Sequence, residues 1–176
     1  MTGCHPQGGG VVVLACGNPS RGDDAVGPLL LGRLRRWLHT RDSPLPVTLI
    51  EAFQFQPEHA LDLCGHRLAL FIDAAASGPV PYEFSPVTPH RDASYSSHAM
   101  SPAAVLHAYV QTMGPSPPAA WLLKVRGERF GLGEPVSPAV MERLAAAEQW
   151  VRDLCLRPEI EYWRCRGPST RSGTPS

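Results

Sequence analysis

Two adjacent aspartates, Asp23 and Asp24, stand in the stretch CGNPSRGDDAVGP, where an apolar run ending at Cys16 gives way to an amphipathic segment. A third acid, Asp73, follows the apolar run LALFI, and His98 lies in the polar stretch SYSSHAMSP ahead of another helical pattern. Two carboxylates and an imidazole together supply the oxygen and nitrogen donors that suit a divalent metal such as nickel or zinc. A carboxylate in such a place can also serve as a general base. Charge at the end of a buried strand is costly unless it is paired, hydrogen-bonded or bound to metal, so each acid needs an explanation.

The two adjacent acids are given different roles. Asp23 immediately precedes the helical period and is expected to cap that helix through a first-turn N–H. Asp24 is then free to act as a ligand or base. Asp73 has two readings of equal weight, a cap for the turn that follows it and a functional acid. Spacing alone does not single out His98 from His5, His39, His59, His66, His90 and His107.

Strand and helix signals alternate along the chain, and these elements must position the acids. VVVLAC reads as a first strand, VTLIEAF (47–53) as a second and LALFIDAA (68–75) as a third that is buried on both faces. YEFSPV (82–87) reads as an edge strand because of Pro86, and AWLLKVRG (120–127) as the last strand. Helices are expected over DAVGPLLLGRLRRWL, with Leu29, Leu30, Leu34 and Leu38 inward, and over 57–65. Two more, 101–113 and 137–155, each open on Ser-Pro. The fold class is α/β, a three-layer sandwich with a mostly parallel, twisted, five-stranded sheet between helices. In such a fold the ligand crevice lies beyond the carboxyl ends of the strands, where strand order reverses. Asp24 and Asp73 meet there if strands one and three are neighbours.

The 176 residues suit one core-forming unit, expected over 10–156, with a flexible leader at 1–9 and a disordered tail at 157–176. Lys plus Arg and Asp plus Glu both number 16, which argues against nucleic acid or an anionic membrane as partner. No apolar run approaches the roughly 18 to 20 residues of a membrane span. The N-terminus lacks a secretory pattern. The five cysteines are odd in number and form no C-x-x-C pair. They read as reduced thiols in a cytoplasmic protein, with Cys16 and Cys64 as small core residues.

The stretches GNPSRGDDAVGP, FQFQPEHALDL, LFIDAAASG and SSHAMSPAAVL resemble, in order and context, the [NiFe]-hydrogenase maturation endopeptidases, whose first motif looks like G-N-x-x-x-x-D-[DE]-x-x-G. The resemblance covers roughly residues 11 to 155. It implies an endopeptidase that removes a C-terminal extension from the hydrogenase large-subunit precursor after nickel insertion. It also implies that Asp24, Asp73 and His98 contact the nickel, which the substrate supplies, and that other divalent ions can occupy the same site. Where this family often has Gly-x-Gly-Asn, the chain reads Ala15-Cys16-Gly17-Asn18.

No cysteine or serine with a positioned base is evident, and HExxH is absent. The expected chemistry is therefore metal-dependent recognition and hydrolysis, by polarisation of the scissile carbonyl or a water. The alternative is general-base activation of water by Asp23 or Asp73. Gly17, Asn18, Gly22 and Asp23 are expected to shape the substrate cleft. The first rival is a phosphate-cradling Gly turn, disfavoured because two aspartates would repel the ligand and CGNPSRG does not fit G-x-G-x-x-G. The second is a non-catalytic chaperone for the hydrogenase precursor.

Overall fold

In the computed structural model, which describes residues 9–41, 44–91 and 100–167, five strands form one sheet in the order β2-β1-β3-β5-β4. The strands are β1 (Gly10–Cys16), β2 (Val47–Ala52), β3 (His66–Ala75), β4 (Tyr82–Val87) and β5 (Ala119–Arg126). β1, β2, β3 and β5 run parallel, and only β4, at the edge, is antiparallel. The helices are α1 (Val26–Leu38), α2 (His59–Asp62), α3 (Pro102–Thr112), α4 (Pro138–Leu156) and α5 (Ile160–Arg166). None of the described helices is long and apolar enough to cross a membrane.

Every residue of β1 is buried, as a central strand covered on both faces requires. Side chains alternate across a strand, so β1 feeds two separate cores. Val11, Val13 and Ala15 join Leu68, Leu70 and Ile72 of β3 under α1, α4 and α5. Val12, Leu14 and Cys16 join Ala69 and Phe71 under α2 and α3. The expected three layers and the β1–β3 adjacency are both present. Strand order reverses at β1 and β3, which places the crevice of a doubly wound sheet at their carboxyl ends.

Three expectations are corrected. The inward stripe of α1 is Val26, Leu30, Leu31 and Leu34, while Leu29 is exposed. Cys64 is half-buried and disulfide-bonded, although Cys16 and Cys155 are buried thiols outside any disulfide. The segment after residue 156 carries a helix, α5, where a structureless tail was expected. Trp163 at its centre is fully buried, and Ile160 and Tyr162 pack partly buried against the same core. The indole N–H of Trp163 donates to the carbonyls of Leu154 and Arg157, and the ring packs edge-on against Trp121 at 5.3 Å. Trp163, with Ile160 and Tyr162 beside it, thus holds the segment against the core. Residues 1–8 of the expected leader (1–9) and residues 168–176 lie outside the described residues.

Trp163→Ala should lower the unfolding free energy by about 3 to 5 kcal/mol, the range for truncating a buried aromatic. Urea denaturation measures it, and a loss below about 1 kcal/mol would mean that α5 is not part of the core.

Candidate functional site

The turn between β1 and α1 is built from close backbone approaches. A Cβ on Gly17 would lie 1.9 Å from the Asp24 carbonyl oxygen, and one on Gly27 would lie 2.1 Å from the Cys16 carbonyl oxygen. The end of β1 and the start of α1 therefore touch through backbone alone, and no larger residue fits at either position. Gly22 adopts φ +53° and packs against the Arg129 carbonyl, 2.6 Å from where its Cβ would be. Gly27 is the last residue of the GNPSRGDDAVG motif, but its role becomes visible only when strand and helix are in place.

Inside this turn Asn18 and Asp24 hold each other. The Asn18 backbone N–H donates to Asp24 Oδ2 at 2.9 Å, and Asn18 Oδ1 accepts from the Ser20 N–H at 2.9 Å. Asp24 is half-buried, and its second carboxylate oxygen has no hydrogen-bond partner among the described residues. That oxygen remains available to a ligand.

Asp23 is a correction. It caps no helix: α1 has Ala25 at its N-cap with no side-chain hydrogen bond. It also lines no cleft, because it is fully buried. Its Oδ2 accepts from the Glu128 N–H at 2.7 Å, the Arg129 N–H at 2.9 Å and the Ser137 hydroxyl at 2.9 Å. Its Oδ1 accepts from the Ser137 N–H at 2.7 Å. Burial pushes this carboxyl up, but the donors from Ser137, Glu128 and Arg129 outweigh burial and hold it below the usual Asp value. Further bonds join the same two segments: Gly22 N–H to the Glu134 carbonyl, Asp23 N–H to the Arg129 carbonyl and Gly133 N–H to the Ser20 carbonyl. Asp23 thus pins the 127–137 segment onto the motif turn. Ser137, the N-cap of α4, is part of the same lock. Sequence reasoning identified Ser137 as a cap but had no signal for a partner 114 residues away.

Asp73 sits in β3, on the α2/α3 face with Ala69 and Phe71 by strand alternation. Cys16 ends β1 on that same face. The register pairs Ala15 with Ile72, so Cys16 and Asp73 are neighbours across the two strands. The Cys16 thiol donates to the Asp73 carboxylate, and Asp73 Oδ1 also accepts the Ala74 N–H at 2.8 Å. Burial raises the Asp73 carboxyl above its ordinary value. The Cys16 thiol and the Ala74 N–H oppose that rise, the Asp24 charge adds to it, and Lys124, opposite on β5, opposes it. Burial together with the Asp73 and Asp24 charges pushes the Cys16 thiol far up, so it stays protonated. Asp24 and Asp73 thus lie within electrostatic reach of each other at the strand-order reversal.

His98 lies outside the described residues, so the third expected member of the site is not placed. The chain leaves the described region at Arg91 and returns at Met100, whose N–H donates to the Phe55 carbonyl. Met100 packs on the cluster that holds Cys16 and Phe71, so the return is on the face that carries Asp73. Among the described residues no three His, Cys, Asp or Glu side chains cluster to hold a metal. Asp24 and Asp73, the two that are placed, carry hard oxygen donors of the kind a divalent ion takes, and two of them alone would leave such an ion open to further ligands.

The fold is similar to that of solved hydrogenase maturation proteases. A [NiFe] hydrogenase maturation protease, HycI, from Thermococcus kodakarensis is 23% identical with a TM-score of 0.59, over 84% of this chain and 92% of that one. The hydrogenase maturating endopeptidase HybD from Escherichia coli is 20% identical with a TM-score of 0.59, over 82% and 91%. An endopeptidase from Escherichia coli, solved in solution, is 21% identical with a TM-score of 0.62, over 85% and 93%. No family model and no curated protein matches the sequence.

Asp23→Ala should cost about 3 kcal/mol or more, because it strands the buried N–H and hydroxyl of Ser137 together with two part-buried N–H groups. The Asp23 carboxyl is depressed in the folded chain, so its contribution is complete above its unfolded value of 3.8 and is lost as pH falls through the lower folded value. The stability gap between the wild type and Asp23→Asn should therefore be constant near neutrality and narrow only below about pH 4. Denaturation at a series of pH values measures this, and a gap that widened on acidification would refute the lock.

Proposed function

We propose that the chain is an endopeptidase that removes the C-terminal extension of a [NiFe]-hydrogenase large-subunit precursor. The observation that carries this reading is the convergence of Asp24 and Asp73 at the β1/β3 reversal. It occurs in a fold shared with a [NiFe] hydrogenase maturation protease and a hydrogenase maturating endopeptidase. Asp24, Asp73 and His98 are the residues proposed to contact the nickel, which arrives as part of the substrate. Other divalent ions are expected to bind there weakly in its absence.

The chain's own groups divide the work. The free oxygen of Asp24 is carried on a turn whose backbone is held by close contacts at Gly17 and Gly27. Asp73 approaches from the neighbouring strand, and its raised proton affinity suits a base that activates water. Asp23 is removed from the list of candidate bases, because it is buried and both its oxygens are engaged. The metal, when present, would polarise the scissile carbonyl or the attacking water. Gly17, Asn18 and Gly22 shape the crevice floor through backbone rather than by chemistry.

Mass spectrometry of a nickel-loaded large-subunit precursor incubated with the protein tests the reading. A defined C-terminal loss is expected, while the nickel-free precursor should stay intact. Asp24→Ala, Asp73→Ala and His98→Ala should leave the precursor uncut at times when the wild type has finished, with melting temperatures close to wild type. Stable binding with no mass loss would instead identify a chaperone for the precursor. Cleavage of the nickel-free precursor at the same rate would overturn nickel recognition while leaving the protease reading in place.

A further inference from the structure

At the other end of α1, away from the carboxylates, arginines gather around a pocket that the proposed cleavage does not use. Trp37 lies eleven residues beyond Val26, about 16 Å down the helix axis at roughly 1.5 Å per residue. The pocket, of about 630 Å³, is lined by Arg33, Arg36, Trp37 and Arg41 together with Glu148 and Arg152 of α4. Four guanidinium groups face one carboxylate, so these residues carry a net charge of +3. Asp42, outside the described residues, can subtract at most one.

The single acid is already in use. Glu148 Oε2 accepts from Arg33 at 3.2 Å, and Glu148 Oε1 accepts from Arg152. The Arg152 guanidinium also lies 5.4 Å from the centre of the Trp37 ring, which supports it from one side. Its Nε is buried with no hydrogen-bond partner. Arg36 and Arg41 are exposed and have no carboxylate partner among the described residues. Like charges held this closely repel one another, and an anion that bridges them removes the repulsion.

We propose that this pocket binds a phosphoryl-bearing anion. The guanidinium groups come from two directions, α1 with the turn after it on one side and α4 on the other. A planar carboxylate presents two oxygens in one plane, and Glu148 shows how two arginines already exhaust one. A tetrahedral phosphoryl group carries up to two charges and offers three oxygens in different directions, which matches donors arriving from both sides. The pocket lies on the opposite end of α1 from Asp24, so its occupancy is independent of the proposed cleavage.

Isothermal titration of the full chain with pyrophosphate at low ionic strength tests this. Saturable one-to-one binding is expected, weakening as salt rises. The double variant Arg36→Ala/Arg41→Ala should lower the affinity about tenfold or more, since hydrogen bonds to charged groups are lost. Both replaced side chains are exposed, so its thermal melt should match wild type. Arg164→Ala, on α5, should bind pyrophosphate as the wild type does. Absent binding, undiminished binding by the double variant, an equal loss in Arg164→Ala, or citrate binding more tightly than pyrophosphate would each overturn the proposal.

Discussion

The buried carboxylate of Asp23 is the constraint on which the site depends. A charge with no solvent exposure survives only if its oxygens are saturated, and here three backbone N–H groups and one hydroxyl do so. Those donors belong to the segment that leaves β5 and enters α4. Satisfying one acid therefore fixes the geometry of three pieces of chain: the motif turn, the 127–137 segment and the first turn of α4. The Ser137 hydroxyl serves twice, donating to Asp23 while it accepts the Val140 N–H as the cap of α4. Such a network is cooperative, because loss of either buried partner, Asp23 or Ser137, leaves the other's polar atoms buried and under-satisfied.

The sheet supplies the second half of the arrangement. Parallel pairing of β1 and β3 puts Cys16 beside Asp73, and strand alternation puts both on the α2/α3 face. A carboxylate there is tolerable because the thiol and the Ala74 N–H bond to it and Lys124 stands across from it. It is nonetheless poised, since burial and the Asp24 charge favour its protonated form. Cys16 provides a donor to Asp73 that an aliphatic side chain would lack.

Much of this was legible in the sequence because it depends on local pattern. The continuous apolar runs of β1 and β3 declare strands buried on both faces, and from them follow the layers and the adjacency that unites Asp24 with Asp73. Pro86 marked β4 as an edge, and the two Ser-Pro pairs marked the starts of α3 and α4. What escaped depends on contacts between distant positions. Asp23 looks like a helix cap because caps are acids before a helical period, and nothing in its neighbourhood points to Ser137. The helix α5 escaped because it is short and adjoins the Gly/Ser/Pro/Thr-rich end of the chain, and its place is set by the distant contact of the buried Trp163. His98 was open among seven histidines, and its placement is not described.

The adjacency of Asp23 and Asp24 follows from this division. A short 3-10 turn, Gly22–Ala25, carries both, and consecutive residues in such a turn project in different directions. One carboxylate is thereby turned into the protein, where it is fully engaged, and the next is half-exposed with an oxygen to spare. The buried acid supplies rigidity to the backbone that bears its neighbour, and the backbone bond from Asn18 fixes the neighbour's rotation. On the proposed reading, in which the metal arrives on another macromolecule, the carboxylates would be held in place beforehand, so that little ordering would remain to oppose binding.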